Sequence, residues 1–538
     1  MERLPATVVS IVLVAVVTIA TWPQALHLGR LSDFGDPLLN TWTLAWVAHA
    51  IAASPLDLFD ANIFHPETGT LAYSEAMLVP ALLVAPLLWL GVEPIVVHNA
   101  LLLAALVLSG ATMFALVRHL TRHDGAALVA AIAFALYPYR IEEFPKLQLQ
   151  LIWWWPLALL ALQRGLDAPS ARTAALFAAC AAAQLYSCIY HGVMGGVFTG
   201  VVGVVLLAGV PRGRRRAAWA WTAGAVAAAL LLAAPLALPY RAAARVVGAR
   251  SVADTAAGSA EPRDYRRAHP ENALYGDDRH PGPGERRLFP GYTLPVLAAA
   301  AVVPPLGAAT LAYVGAGLVA FDLSLGVNGV GYTALHQTMT PFQALRVPAR
   351  FGMFVGLALA VAAGLGVARV ARGRTAAVQV TIVLAASALI VAESRMRPQA
   401  FRDLPDDSPA VYAWLAAQPR GVVCEYPVGP LEGRSGPQDA TYMYYSIGHW
   451  QPLVNGFSGF APPSYGELLA RLDAFPSRDA IAYLQERGVR YLLVHSVFYI
   501  EGDFAADVAA LRTDERLERG GTFPWRGGGR TEVFLIRR

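Results

Sequence analysis

Charge is what this chain lacks first. Only 15% of its 538 residues are charged, 56% are hydrophobic, and the mean hydropathy is +0.45. Soluble globular domains carry about 25% charged residues, so a soluble enzyme is excluded and a polytopic helical membrane protein is indicated. Lysine is almost absent, and arginine carries nearly all the positive charge. No basic surface interleaved with aromatics appears, which excludes nucleic acid as a partner. Cysteine is scarce, with three residues. Cys180 and Cys188 fall on one expected helix, roughly 12 Å apart along its axis, too far for a disulfide. Cys424 has no partner outside the membrane. A disulfide scaffold and a Cys/His zinc site are therefore excluded. Internal repeats, a P-loop and a dinucleotide fingerprint are absent as well.

What is present is a series of apolar runs. The first, Ala6–Ala20, follows Arg3, and no small-x-small cleavage site precedes Trp22 and Pro23. It is expected to be a retained membrane span. Residues 23–94 form a first external loop. Within it, 38–53 carries helical apolar spacing and two tryptophans, which suits a helix lying along the interface. The run 77–90, interrupted by Pro80 and Pro86, is expected to be a second interfacial or re-entrant helix. If 77–90 does not cross, the arginine-rich loops at 118–122, 164–172, 212–216 and 369–374 all face the cytoplasm, as the positive-inside rule requires. That assignment gives about eleven spans, an external loop at 240–290, and a membrane domain over 1–394. The tail, 395–538, becomes more charged and alternates short β-like runs (421–426, 489–495, 531–537) with helical patterns (408–417, 465–475, 477–487). It is expected to be an extracytoplasmic α/β domain.

Ionisable residues near a membrane are functional candidates. Asp33-Phe-Gly-Asp36 follows the first span, and Asp36-Pro37 is also a good helix N-cap followed by proline at the first helical position. Glu142-Glu143 lies on the same expected face, where the bland alternative is anchoring by its Tyr and Arg neighbours. Arg346 and Arg350 lie four residues apart, and two guanidinium groups can meet one phosphate. Arg241 and Arg245 repeat that spacing after the seventh span. His65 and Glu75 flank the two loop helices. Trp153-Trp-Trp155 is expected to be an interfacial belt. In the tail, Glu425-Tyr-Pro, the run 442–450 and Val454-Asn-Gly456 fit a binding surface or a packed core equally well.

The order of these motifs resembles the GT-C superfamily of integral-membrane glycosyltransferases, specifically bacterial relatives of the dolichyl-phosphate-mannose protein mannosyltransferases. Asp33-Phe-Gly-Asp36, the two loop helices, Glu142-Glu143, Leu288-Phe-Pro-Gly291, Leu345-Arg-Val-Pro-Ala-Arg350-Phe and Gly488-Val-Arg-Tyr-Leu-Leu-Val-His495 carry the resemblance. It implies transfer of a sugar from a polyprenyl-phosphate donor to a glycan, lipid or protein acceptor, at the outer face of the inner (plasma) membrane. It assigns the base role to Asp36, with Asp33 as competitor. Acceptor or donor contacts fall to Glu142, Glu143, Arg346, Arg350, Arg241, His65 and Glu75. The stricter Asp-x-Asp form is missing at Glu142-Glu143, which leaves a divalent metal open. Two other classes compete. A lipid or polysaccharide transporter would show repeats and polar breaks at mid-membrane. A non-catalytic scaffold would leave Asp33 and Asp36 away from any cavity.

Overall fold

A computed structural model describes residues 4–277, 284–398, 400–404, 406–407, 409–429, 438–499 and 503–537. Arg3, Ser408 and residues 278–283 of the 240–290 loop lie outside the described residues. The first helices in chain order are α1 (Ala6–Ala20), α2 (Asp36–Ala53), α3 (Leu78–Trp89), α4 (Pro94–Thr121), α5 (Asp124–Ala135), α6 (Pro138–Glu142), α7 (Leu147–Gln150), α8 (Trp154–Asp167), α9 (Ala171–Ser187), α10 (Ile189–Ala208) and α11 (Arg215–Val247). Among the described residues, six helical segments are long and apolar enough to cross a membrane: Pro94–Thr121, Asp124–Glu142, Ile189–Ala208, Arg212–Val247, Pro348–Ala371 and Ala376–Ser394. Shorter apolar helices cover Ala6–Ala20, Leu78–Trp89, Thr293–Val302 and Ala308–Ser324.

The chain forms two compact units. The first holds Met1–His27, Asn99–Leu236 and Ala249–Gln399, and the second holds Leu28–His98, Ala237–Gly248 and Ala400–Arg538. The tail thus shares its unit with the first loop.

In the first unit, loops meet in two groups. At one end, Leu4 N donates to Asp124 Oδ2 at 2.6 Å and Arg118 Nε to Asp124 Oδ1 at 2.9 Å. His119 lies 3.4 Å from Asp167, Arg214 Nη2 donates to Leu166 O at 2.6 Å, and His123 pairs with Gln379 at 3.3 Å. At the other end, Lys146 reaches Glu285 at 2.7 Å, Arg346 N donates to Tyr190 Oη at 2.8 Å, and Asn272 Nδ2 donates to Glu393 O at 2.7 Å. The 20-residue helix Gly352–Ala371 joins the two ends, a rise of about 30 Å. The arginine-rich loops that the positive-inside rule groups together are therefore gathered at one end. The Leu4–Asp124 bond also makes α1 and α4 antiparallel, which a non-crossing 77–90 segment demands.

The expected fourth span is broken. Residues 147–150 form a single turn, and α8 starts only at Trp154. The expected tryptophan belt is not one: Trp153 and Trp155 are buried. The Trp155 indole N–H donates to His191 O at 2.7 Å, across to α10. Gly195 on α10 permits this approach, since a Cβ there would lie 2.0 Å from Trp155 Nε1. Gly195→Ala is expected to cost about 1–3 kcal/mol through overpacking, read as a lowered thermal midpoint in detergent.

In the second unit, α2 is buried at 13 of its 18 positions. Proline at its second residue presets the helical φ. The helix exists as expected, but its tryptophans do not serve a lipid interface. Trp42 Nε1 donates to Asn62 Oδ1 at 3.2 Å and Trp46 Nε1 to Leu58 O at 2.9 Å, and Trp46 packs edge-on against Trp450 at 5.5 Å. Protein partners satisfy each indole, so both rings are interior.

The tail contributes a four-stranded sheet of β1 (Val422–Tyr426), β2 (Val489–His495), β3 (Leu517–Pro524) and β4 (Arg530–Ile536) in the order β1-β2-β4-β3. β1 and β2 are parallel, and both pairs with β4 are antiparallel. Three of the strands fall on the expected runs. β3 was not expected, because Glu518-Arg-Gly-Gly521 lacks the β-branched residues that mark strands. The backbone of 62–65 pairs with 453–455, through Leu453 N to Asn62 O at 2.9 Å and Phe64 N to Asn455 O at 3.0 Å. That pairing binds the first loop to the tail.

Candidate functional site

The described site residues fall into two sets. In the first unit, the end of α5 is turned by Pro138, which starts the short helix α6 at its favoured first position. Arg140 fastens this turn from within. It is fully buried and donates to Phe134 O, Ser109 Oγ and both oxygens of Gln150 at 3.0–3.3 Å. Gln150 Nε2 returns bonds to Arg140 O and Glu143 O, each at 3.0 Å. Tyr137 and Tyr139 are buried too. The reading of this segment as a headgroup anchor therefore fails: its Arg and Tyr residues face protein.

The locked turn aims Glu142, Glu143 and Lys146 at the loop 284–287. Lys146, the sole lysine of the chain, lies 2.6 Å from Glu143 Oε2 and 2.7 Å from Glu285 Oε1. Arg350 clasps Glu285 with two bonds, of 2.9 and 3.2 Å. Glu142 Oε1 meets Arg287 at 2.6 Å, with His269 3.8 Å away. Two carboxylates thus share one ammonium. Burial, then the neighbouring Glu285 charge, push Glu143 up to about 7 in spite of Lys146. Against burial, Arg350 and then Lys146 hold Glu285 well below the usual carboxylate range. Of the two, Glu143 is the carboxyl whose neutral form burial favours. Burial, then Arg287, lower His269 to about 4, so it is neutral at pH 7.

The two arginines of the Leu345–Phe351 motif diverge. Arg350 is buried against Glu285, with its guanidinium 4.7 Å over the Tyr190 ring. Arg346 is exposed. A phosphate shared by these two would have to compete with Glu285 for Arg350. The cation facing Arg346 is Arg250, whose pKa is lowered by burial and then by Arg346 itself.

In the second unit, Asp33 and Asp36 are both half-buried. Asp33 Oδ1 accepts the Phe34 N–H at 2.7 Å. Gly35 occupies the N-cap, and Asp36 is the first helical residue, one position later than the cap expected for it. Tyr240 staples the turn around Glu75: its hydroxyl accepts from Ala76 N at 3.0 Å and donates to Ser74 O at 2.8 Å. Arg241 follows Tyr240 directly and is exposed. His65 sits instead in a shallow recess with Tyr465, Tyr483 and Arg487. Burial, then Arg487, lower its pKa.

The tail motifs resolve as packed core. The Glu425 carboxylate accepts from Tyr412 Oη at 2.6 Å and meets His495 Nε2 at 2.8 Å, and His495 Nδ1 meets Thr531 Oγ1 at 2.8 Å. Asp439 is buried and accepts from Asn455 Nδ2 at 2.8 Å, Gly429 N at 3.1 Å and the Tyr465 hydroxyl. Burial nevertheless raises its carboxyl to about 6. A raised carboxyl pKa favours unfolding once the unfolded chain ionises, so its penalty grows from about pH 4 to pH 6 and is complete above that. Tyr465→Phe removes a donor to the carboxylate. It is expected to carry this pH-dependent loss of stability above pH 6, seen in thermal midpoints of the full chain between pH 4 and 8.

Sequence alone missed Lys146, Glu285, Arg287, Arg250 and Tyr240. Only Lys146 offered a signal, as a lysine in an arginine-dominated chain. Among the described residues, no three of His, Cys, Asp and Glu gather as metal ligands. Glu142 and Glu143 already face Arg287 and Lys146, so this pair does not fit a divalent metal.

No protein-family model and no curated protein matches the chain. Among solved structures it is similar to the Archaeoglobus fulgidus oligosaccharyltransferase in the apo form, at 12% identity and a TM-score of 0.48, over 98% of this chain and 75% of that one. It is also similar to that enzyme tethered by a disulfide to an acceptor peptide with an NVT sequon, at 10% identity and a TM-score of 0.47, over 97% and 74%.

Proposed function

We propose that this chain is a membrane glycosyltransferase that moves a sugar from a polyprenyl-phosphate-linked donor to an acceptor hydroxyl on the extracytoplasmic side. The observation that carries this reading is the Asp33–Asp36 turn. It places a half-buried carboxylate on the first residue of a mostly buried helix, in the loop that follows the first apolar helix. A carboxylate on so rigid a support is positioned for one proton transfer rather than for general solvation.

In the proposed step, Asp36 takes the proton from the acceptor hydroxyl as its oxygen attacks the anomeric carbon. The bond from that carbon to the phosphate oxygen breaks, and polyprenyl phosphate leaves with the electron pair. A guanidinium group is the side chain suited to stabilise the charge that develops on the phosphate. Asp33 shapes the turn. Glu142, Glu143 and Arg350 hold the loops of the first unit in place. Glu75 and Arg241, fastened by Tyr240, supply polar contacts to substrate, and His65 borders the tail. A transporter is the competing reading, and donor consumption separates the two.

The test is a transfer assay on purified protein with labelled polyprenyl-phosphate sugars. Release of polyprenyl phosphate coupled to a glycosylated product supports the reading. Facilitated lipid movement across vesicles with no donor consumed would favour the transporter.

A further inference from the structure

The first unit contains a cavity of about 680 Å³ at the end away from Glu285, walled by α1, the α4–α5 connection and the end of α8. One side is apolar, with Val9, Ala111 and Phe114, while the other presents Arg118, Arg122 and Arg164. We propose that this cavity binds a phosphate group, carried either by a lipid headgroup or by a free phosphoanion.

Two observations converge on that ligand. First, the charge is unbalanced. The wall holds one carboxylate, Asp124, and it is occupied by Arg118 Nε and Leu4 N. Second, the guanidinium groups of Arg122 and Arg164 have no hydrogen-bond or ion-pair partner among the described residues, and both, with Asp167, act electrostatically on His119. Two guanidinium groups converging on one cavity are suited to phosphate, which they bind through paired N–H donors. The apolar side would accommodate the chains of a phospholipid, and anionic headgroups draw basic clusters at a membrane surface. The site is separate from the proposed transfer chemistry and stands whether or not that reading holds.

The test uses full-length protein, delipidated in a neutral detergent and titrated with dioleoyl phosphatidylglycerol or with inorganic phosphate. Binding is read by native mass spectrometry and thermal shift. Arg122→Gln/Arg164→Gln is expected to weaken phosphatidylglycerol binding at least tenfold. Arg212→Gln/Arg216→Gln removes two exposed arginines outside the cavity wall and is expected to change it less than twofold. If inorganic phosphate binds and loses affinity in the cavity variant, the ligand is the phosphate itself. If only phosphatidylglycerol does so, the ligand is a lipid headgroup. Either supports the site. Equal loss in both variants, unchanged binding in the cavity variant, or no binding of either probe to the wild type would overturn it.

Discussion

Arg350→Met is expected to destabilise the first unit by about 3–5 kcal/mol, the scale of breaking a buried ion pair from one side. Arg350 makes two bonds to Glu285, and its loss leaves Glu285 and Glu143 with Lys146 alone. Two carboxylates on one ammonium must then bind a proton or repel each other. Both carboxyl pKa values rise in the folded variant, and a raised pKa costs stability as pH increases. The variant should therefore lose more at pH 8 than at pH 6. Glu285→Gln in the same background should restore part of the loss by removing the orphaned charge. Thermal unfolding of the full chain in detergent at both pH values measures this. A loss below about 1 kcal/mol at pH 8, the size of an exposed pair, would mean that the cluster is solvated.

Asp36→Asn is expected to lower the transfer rate by about 10²–10⁴, the usual contribution of a general base. Asparagine keeps the shape and cannot take a proton. The effect should fall on kcat with little change in KM, because the base acts on the reacting hydroxyl and not on donor binding. Asp33→Asn should cost less than about tenfold, one hydrogen bond's worth. The Asp33 carboxylate already receives the Phe34 N–H, and Asp36 alone rides on the buried helix. Both variants should keep the wild-type thermal midpoint within a few degrees, since both side chains are half-buried.

Local structure was largely written in the sequence. Proline after Asp36 marked a helix start, and three strands fell on runs rich in Val, Leu and Ile. Same-end grouping of the arginine-rich loops followed from charge placement. Long-range pairing was not legible. Glu285 is 139 residues from Lys146, and nothing in the polar loop around it distinguishes a buried acid from a solvated one. Trp42, Trp46, Trp153 and Trp155 misled for a related reason. Tryptophan suits both a lipid interface and an interior with hydrogen-bond acceptors, and only the fold decides which surrounds it. The arginine pair Arg346/Arg350 fitted phosphate by spacing, but the backbone of Pro348–Phe351 turns the second one inward to Glu285.

The proposal of Asp36 as the base is tested most directly by one side-by-side measurement. Polyprenyl phosphate release is followed with the same labelled donor and acceptor for the wild type, Asp33→Asn and Asp36→Asn, each purified and shown to be folded. The account predicts release by the wild type, slower release by less than about tenfold in Asp33→Asn, and a loss of at least about a hundredfold in Asp36→Asn. Wild-type release from both aspartate variants would contradict it.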